Sequence, residues 1–83
     1  MAKVSIIIPA RHEVYLQQTI DEILSKAAGD IEVIVVLDGY WPDPPLKDDP
    51  RITIAHRESR GMRAAINAAI GIAKGEYIMK VDA

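Results

Sequence analysis

Two continuous apolar runs limit what this chain can fold into. Val4 to Ile8 is interrupted by one Ser, and Ile31-Glu32-Val33-Ile34-Val35-Val36-Leu37 by one Glu. A strand with one wet face alternates apolar and polar residues, whereas an unbroken β-branched run belongs to a strand covered on both faces, as in a parallel sheet. Parallel neighbours need a crossover, and a helical pattern lies between these runs. Leu16, Ile20, Ile23, Leu24 and Ala27 recur at helical spacing, with Gln17, Gln18, Asp21, Glu22 and Ser25 on the other face. Lys26 falls in the last turn, and Gly29 is placed to stop the helix.

The rest of the chain repeats the alternation. Pro42, Pro44, Pro45 and Pro50 exclude regular structure through most of Gly39 to Pro50, which reads as a surface loop. Arg51 to His56 alternates like a strand nearer an edge. A second helix follows from about Gly61 to Lys74, with Met62, Ala65, Ile66, Ala69, Ile70 and Ala73 on one face and Gly75 as its stop. The predicted fold class is α/β. It is a mainly parallel sheet of strands 4–8, 31–37, 51–56 and 76–81, covered by helices 14–27 and 61–74. No repeat or linker divides the chain, so residues 1–83 are expected to form one domain.

Ten basic and twelve acidic residues leave a formal charge of −2, which argues against a nucleic-acid partner held by a basic stripe. Arg51, Arg57, Arg60 and Arg63 cluster in sequence, but aspartates and Glu58 surround them, so they read as a local anion site. With no cysteine, disulfides and thiolate metal sites are unavailable. The opening apolar run is too short for a signal peptide or a transmembrane segment, and the default expectation is a cytoplasmic location.

In open α/β sheets ligands bind beyond the carboxyl ends of the strands. Neither a G-x-G-x-x-G after the first strand nor a P-loop is present, so phosphate must be held otherwise. Four groups fall near that edge: Pro9-Ala10-Arg11-His12-Glu13, Asp38, Arg60-Gly61-Met62-Arg63 with Asn67, and Asp82. Each has a plainer reading. Glu13 could only favour a helix dipole, Asp38 could only shape a turn, Arg63 could be a solvated cation, and Asp82 a solvated acid. Their shared position favours a site, in which Asp38 accepts a hydrogen bond from a ring N–H of a base. Asn67 lies beside apolar helix positions and is expected to be a buried amide tying the helix to a loop.

These residues resemble the family-two glycosyltransferases, inverting enzymes of the GT-A fold that use nucleotide diphosphate sugars. The resemblance runs from Val4 to Ala83. It consists of Val4 to Ala10 with Glu13, Glu32 to Gly39, Arg60-Gly61 with Ala65, Asn67, Ile70 and Ala73, then Gly75 to Ile78, and Asp82. It implies a Rossmann-like amino-terminal half in which Pro9, Ala10 and Glu13 line the base and ribose pocket and Asp38 binds the base edge. Arg60 and Gly61 would approach the nucleotide, and Asp82 would be the first acid of the D-x-D motif that helps place Mn²⁺ or Mg²⁺ on the diphosphate. The implied donor is a nucleotide diphosphate sugar, by expectation a UDP-sugar, and the acceptor a hydroxyl. Three departures stand out: Leu37-Asp38-Gly39-Tyr40 has one acid where the family usually has two, Ile66 replaces a common Arg, and Ala69 a common Gly.

The resemblance further implies a second half with the remaining D-x-D acid, the acceptor site and the general base. The chain is therefore expected to be inactive alone and to associate through surfaces that half would cover, as a symmetric dimer. Two alternatives differ in class. A nucleotidyltransferase-like domain would be expected to carry a Gly-rich loop after the first strand, absent from Pro9 to Glu13; a non-catalytic α/β interaction domain would use its sheet edge or an apolar patch.

Overall fold

The computed structural model describes residues 4–11, 14–26, 29–57 and 62–81. Its elements run β1 (Val4–Ala10), α1 (Leu16–Lys26), β2 (Ile31–Asp38), β3 (Ile52–Arg57), α2 (Met62–Ile72) and β4 (Tyr77–Lys80). The four strands form one sheet in the order β3-β2-β1-β4. Every pairing is parallel. This is a Rossmann-like α/β arrangement, and all four carboxyl ends meet at one edge.

Successive side chains of a strand point to opposite faces, and each apolar run is divided between two cores. Ile6, Ile8 and Ala10 of β1 and Val33, Val35 and Leu37 of β2 pack with Leu16 and Ile20 of α1. On the other face Ile7, Ile34 and Val36 pack with Ala69 of α2, flanked by Ala73. Burial on both faces explains why neither run alternates.

Three expectations about element ends and faces are corrected. β1 does not end at Ile8 as expected but runs on through Pro9 to Ala10. The Ile7 carbonyl accepts the Val81 N–H at 2.9 Å, so odd-numbered β1 residues turn their backbone groups toward β4. The last β4 pairing is Ile7 with Lys80. Pro9 lies beyond it, where a missing N–H costs no ladder bond. Ile70 does not pack on the sheet but is half exposed, because Ala69, one residue and about 100° away on the helix, holds the seam. Finally, α2 stops at Ile72, before Lys74.

The reason for Gly75 is closeness to the sheet. Its N–H donates to Ser5 Oγ at 2.8 Å, and a Cβ built there would lie 2.6 Å from both Ser5 N and Oγ. Ser5 is fully buried and donates to Glu32 Oε2 at 2.5 Å, the oxygen that also accepts the Lys74 N–H at 2.5 Å. Burial alone would raise the Glu32 carboxyl, but the Ser5 hydroxyl, the Lys74 and Gly75 N–H groups and the Lys74 charge outweigh it and hold it below its ordinary 4.5. The polar interruptions of the two apolar runs, Ser5 and Glu32, are register partners in this network at the amino edge.

Candidate nucleotide site at the carboxyl edge

The opposite edge carries the charged strand ends. Asp38 closes β2 and is 2% exposed. On one side Arg11, which follows β1, places Nε 3.6 Å from Asp38 Oδ2. On the other side Arg57, the last residue of β3, is the register partner of Asp38. Directly paired residues of neighbouring strands present side chains to the same face. Arg11, Asp38 and Arg57 therefore form a row across β1, β2 and β3, on the α2 face of the sheet. Arg57 Nε is buried and without a hydrogen-bond partner among the described residues.

The backbone next to the row is set by Gly39, whose φ of +77° favours glycine and whose N–H donates to the Arg57 carbonyl at 2.8 Å. That turn sends the chain toward the α1 face. There the Trp41 and His56 rings stack with centroids 4.1 Å apart and planes within 1°. The proline-rich loop is tied back to α1, since the Lys47 N–H donates to Gln17 Oε1 at 2.9 Å and Gln17 Nε2 donates to Asp21 at 2.8 Å. Between loop and helix lies an open groove of about 660 Å³, with Val14, Leu16, Tyr40, Trp41 and Leu46 in its lining.

The structure brings part of the expected site together. Asp38 stands at the carboxyl edge, as does the end of β1. The Pro9 and Ala10 side chains are fully buried, so at these positions only backbone can face a ligand. Glu13, Arg60, Gly61 and Asp82 lie outside the described residues. Asn67 is exposed and does not form the expected buried amide tie, because the packed seam of α2 runs through Ala69 and Ala73.

The expected arginine cluster also separates. Arg51 precedes β3 at the amino edge, about 20 Å from Arg57 at a strand rise of about 3.3 Å per residue. It is engaged by Asp49, with Nε to Oδ1 and Nη2 to Oδ2 both at 3.0 Å. That fork lowers the Asp49 carboxyl and raises the Arg51 guanidinium. The row of Arg11, Asp38 and Arg57 was not visible as a unit in the sequence. Its signal is positional, a charged residue at or just after three strand ends, and it appears only once the strand order is known.

Among the described residues no three His, Asp or Glu side chains come together as a metal site. Asp82, the acid assigned to a divalent ion, lies outside them. Within the described residues, no helix is long and apolar enough to cross a membrane.

The sequence has counterparts among known proteins. The family model for glycosyl transferase family 2 matches residues 5–83. The chain belongs to this family. Over 95% of its length it is 38% identical to an uncharacterized glycosyltransferase, EpsJ, of Bacillus subtilis (strain 168), of which it covers 25%. It is similarly 34% identical to the glycosyltransferase GlyG of Streptococcus pneumoniae, covering 29% of that protein, and 36% identical to a chondroitin synthase of Pasteurella multocida, covering 9%. The chain thus spans under a third of the length of each relative. In family 2 terms, β1 to β4 and the two helices match the Rossmann-like amino-terminal part of the GT-A fold.

Proposed function

We propose that this chain is the nucleotide-binding part of a glycosyltransferase that moves a sugar from a nucleotide diphosphate sugar to an acceptor hydroxyl. The observation that carries the reading is the position of Asp38, at the carboxyl edge of an all-parallel family 2 sheet and between two arginines. A carboxylate there can accept a base N–H while the sheet edge orients the rest of the donor. Pro9, Ala10, Glu13, Arg60 and Gly61 complete the proposed nucleotide contacts. Asp82 is the proposed contact to Mn²⁺ or Mg²⁺, which would neutralise diphosphate charge and would need further oxygen ligands.

Because the chain covers under a third of each relative, the acceptor site and general base are assigned to the remainder, and the chain alone is expected to bind donor without transferring sugar. Calorimetric titration with UDP, with and without Mn²⁺, tests the reading. Saturable binding that Asp38→Ala weakens supports it, and no binding at millimolar nucleotide overturns it.

A second reading, a surface for protein association, is favoured by one observation. Tyr77, Ile78 and Met79 of edge strand β4 are 63%, 48% and 54% exposed. An uncovered strand edge with apolar side chains is a template for pairing.

A further inference from the structure

Trp41 is the single tryptophan of the chain, and the fold leaves it 69% exposed. The His56 imidazole lies flat on it, with centroids 4.1 Å apart and planes within 1°, so one face of the indole is covered and the ring is held in place. The rest of the ring is open, on the wall of the groove between the proline-rich loop and α1. An aromatic face that is fixed and left to solvent is a platform for a ligand with an apolar face of its own.

We propose that this groove is a saccharide-binding site that takes a neutral chain of β-linked, glucose-like pyranose rings. Such a ring carries its hydroxyls around the rim and turns axial C–H bonds to each face, so it can lie on Trp41 while its hydroxyls reach sideways. The polar group left to meet them is Asp43, which lines the groove and makes no hydrogen bond or ion pair among the described residues. A carboxylate has two acceptor oxygens and can take the O–H groups of two neighbouring hydroxyls. A proline-rich peptide or a lipid surface would cover the apolar lining but bring few donors for Asp43. A uronate chain would bring hydroxyls together with a charge that Asp43 repels.

The walls are set before a ligand arrives. Gln17 and Lys47, also in the lining, are engaged by the fold: Gln17 Oε1 accepts the Lys47 N–H at 2.9 Å, and the Lys47 ammonium stands 3.8 Å from Asp21 Oδ2. Walls fixed in this way reduce the ordering cost of binding. At about 660 Å³ the groove falls within the roughly 300–1,000 Å³ of small-molecule sites, and because it is open a chain can run past it. It lies on the α1 face of the sheet, whereas the row of Arg11, Asp38 and Arg57 lies on the α2 face. The site is thus separate from the proposed nucleotide contacts and independent of that reading.

Because Trp41 is the sole tryptophan, intrinsic fluorescence reports on the groove alone. Titration of the full chain with cellotetraose should give a saturable change with a roughly millimolar Kd, and the glucuronate counterpart of that chain should bind about threefold or more weakly. Calorimetry should show about a tenfold loss of cellotetraose affinity for Trp41→Ala and about a threefold loss for Asp43→Asn, with the UDP titration as in the unmodified chain. Asp43 is exposed and carries no contact of the fold, so its variant keeps the test decisive if Trp41→Ala does not fold. A linear response shared by glycerol, or saturable binding that neither variant weakens, overturns the inference. Binding to phosphatidylcholine vesicles or to a proline-rich peptide, with no response to the sugar, overturns it too and gives the groove to another occupant. A chain that binds cellotetraose but no UDP keeps this site and loses the nucleotide reading.

Discussion

At the scale of single residues, two edges of one sheet use polar groups for opposite ends. At the amino edge Ser5, Glu32 and Gly75 satisfy one another, and the arrangement is structural. Gly75→Ala would drive a Cβ onto the Ser5 and Val4 backbone, with close approaches of 2.6 and 2.9 Å. It should cost about 1–3 kcal/mol, as overpacking does, in chemical denaturation. Glu32 makes the same edge sensitive to acid. Its carboxyl is held below 4.5 in the fold, so its stabilisation is complete above 4.5 and is lost as pH falls through the depressed value. Glu32→Gln should flatten the part of the stability profile below pH 4.5. An unchanged acid limb would show that other carboxylates dominate it.

At the carboxyl edge Asp38 faces an arginine on either side, and removing its carboxylate should weaken UDP binding by about 1.5–3 kcal/mol, as for a charge-assisted hydrogen bond. Calorimetry on Asp38→Ala checks this, with circular dichroism confirming that the sheet survives.

At the scale of elements, β1 and β2 were legible in the sequence because burial on both faces leaves an unbroken apolar run. The helices were legible from their period, to within a few residues. What could not be read locally is what depends on strand order. The order β3-β2-β1-β4 puts β4 at an edge with its side chains exposed, and it sets Arg57 beside Asp38. It also separates Arg51 from Arg57, two residues that look like one cluster in the chain. Asn67 and Ile70 were misplaced for a related reason, because a shift of the α2 seam by one residue moves each neighbour by about 100°.

The edge strand carries its own expectation. Tyr77, Ile78 and Met79 should promote association of the isolated chain, seen as a mass that rises with concentration in light scattering. Ile78→Lys should suppress it by charging the exposed strand. A clean monomer at high concentration for the unmodified chain would remove the association reading.

At the scale of the whole molecule, a parallel sheet packed on α1 and α2 delivers its charged strand ends to one side, and the family 2 match makes this sheet part of a glycosyl transferase domain. The part of the candidate site legible in the sequence was Asp38, because a strand-terminal acid can be found by counting. The arginines flanking it acquire meaning only in register. The most direct test of nucleotide recognition at this edge is an amide NMR map of the chain titrated with UDP. Saturable shifts are expected at Ala10 and Arg11, at Asp38 to Tyr40 and at Arg57, with the amino edge around Val4, Ile31 and Gly75 unmoved. Saturable shifts confined to the amino edge, or none at millimolar UDP, would contradict it.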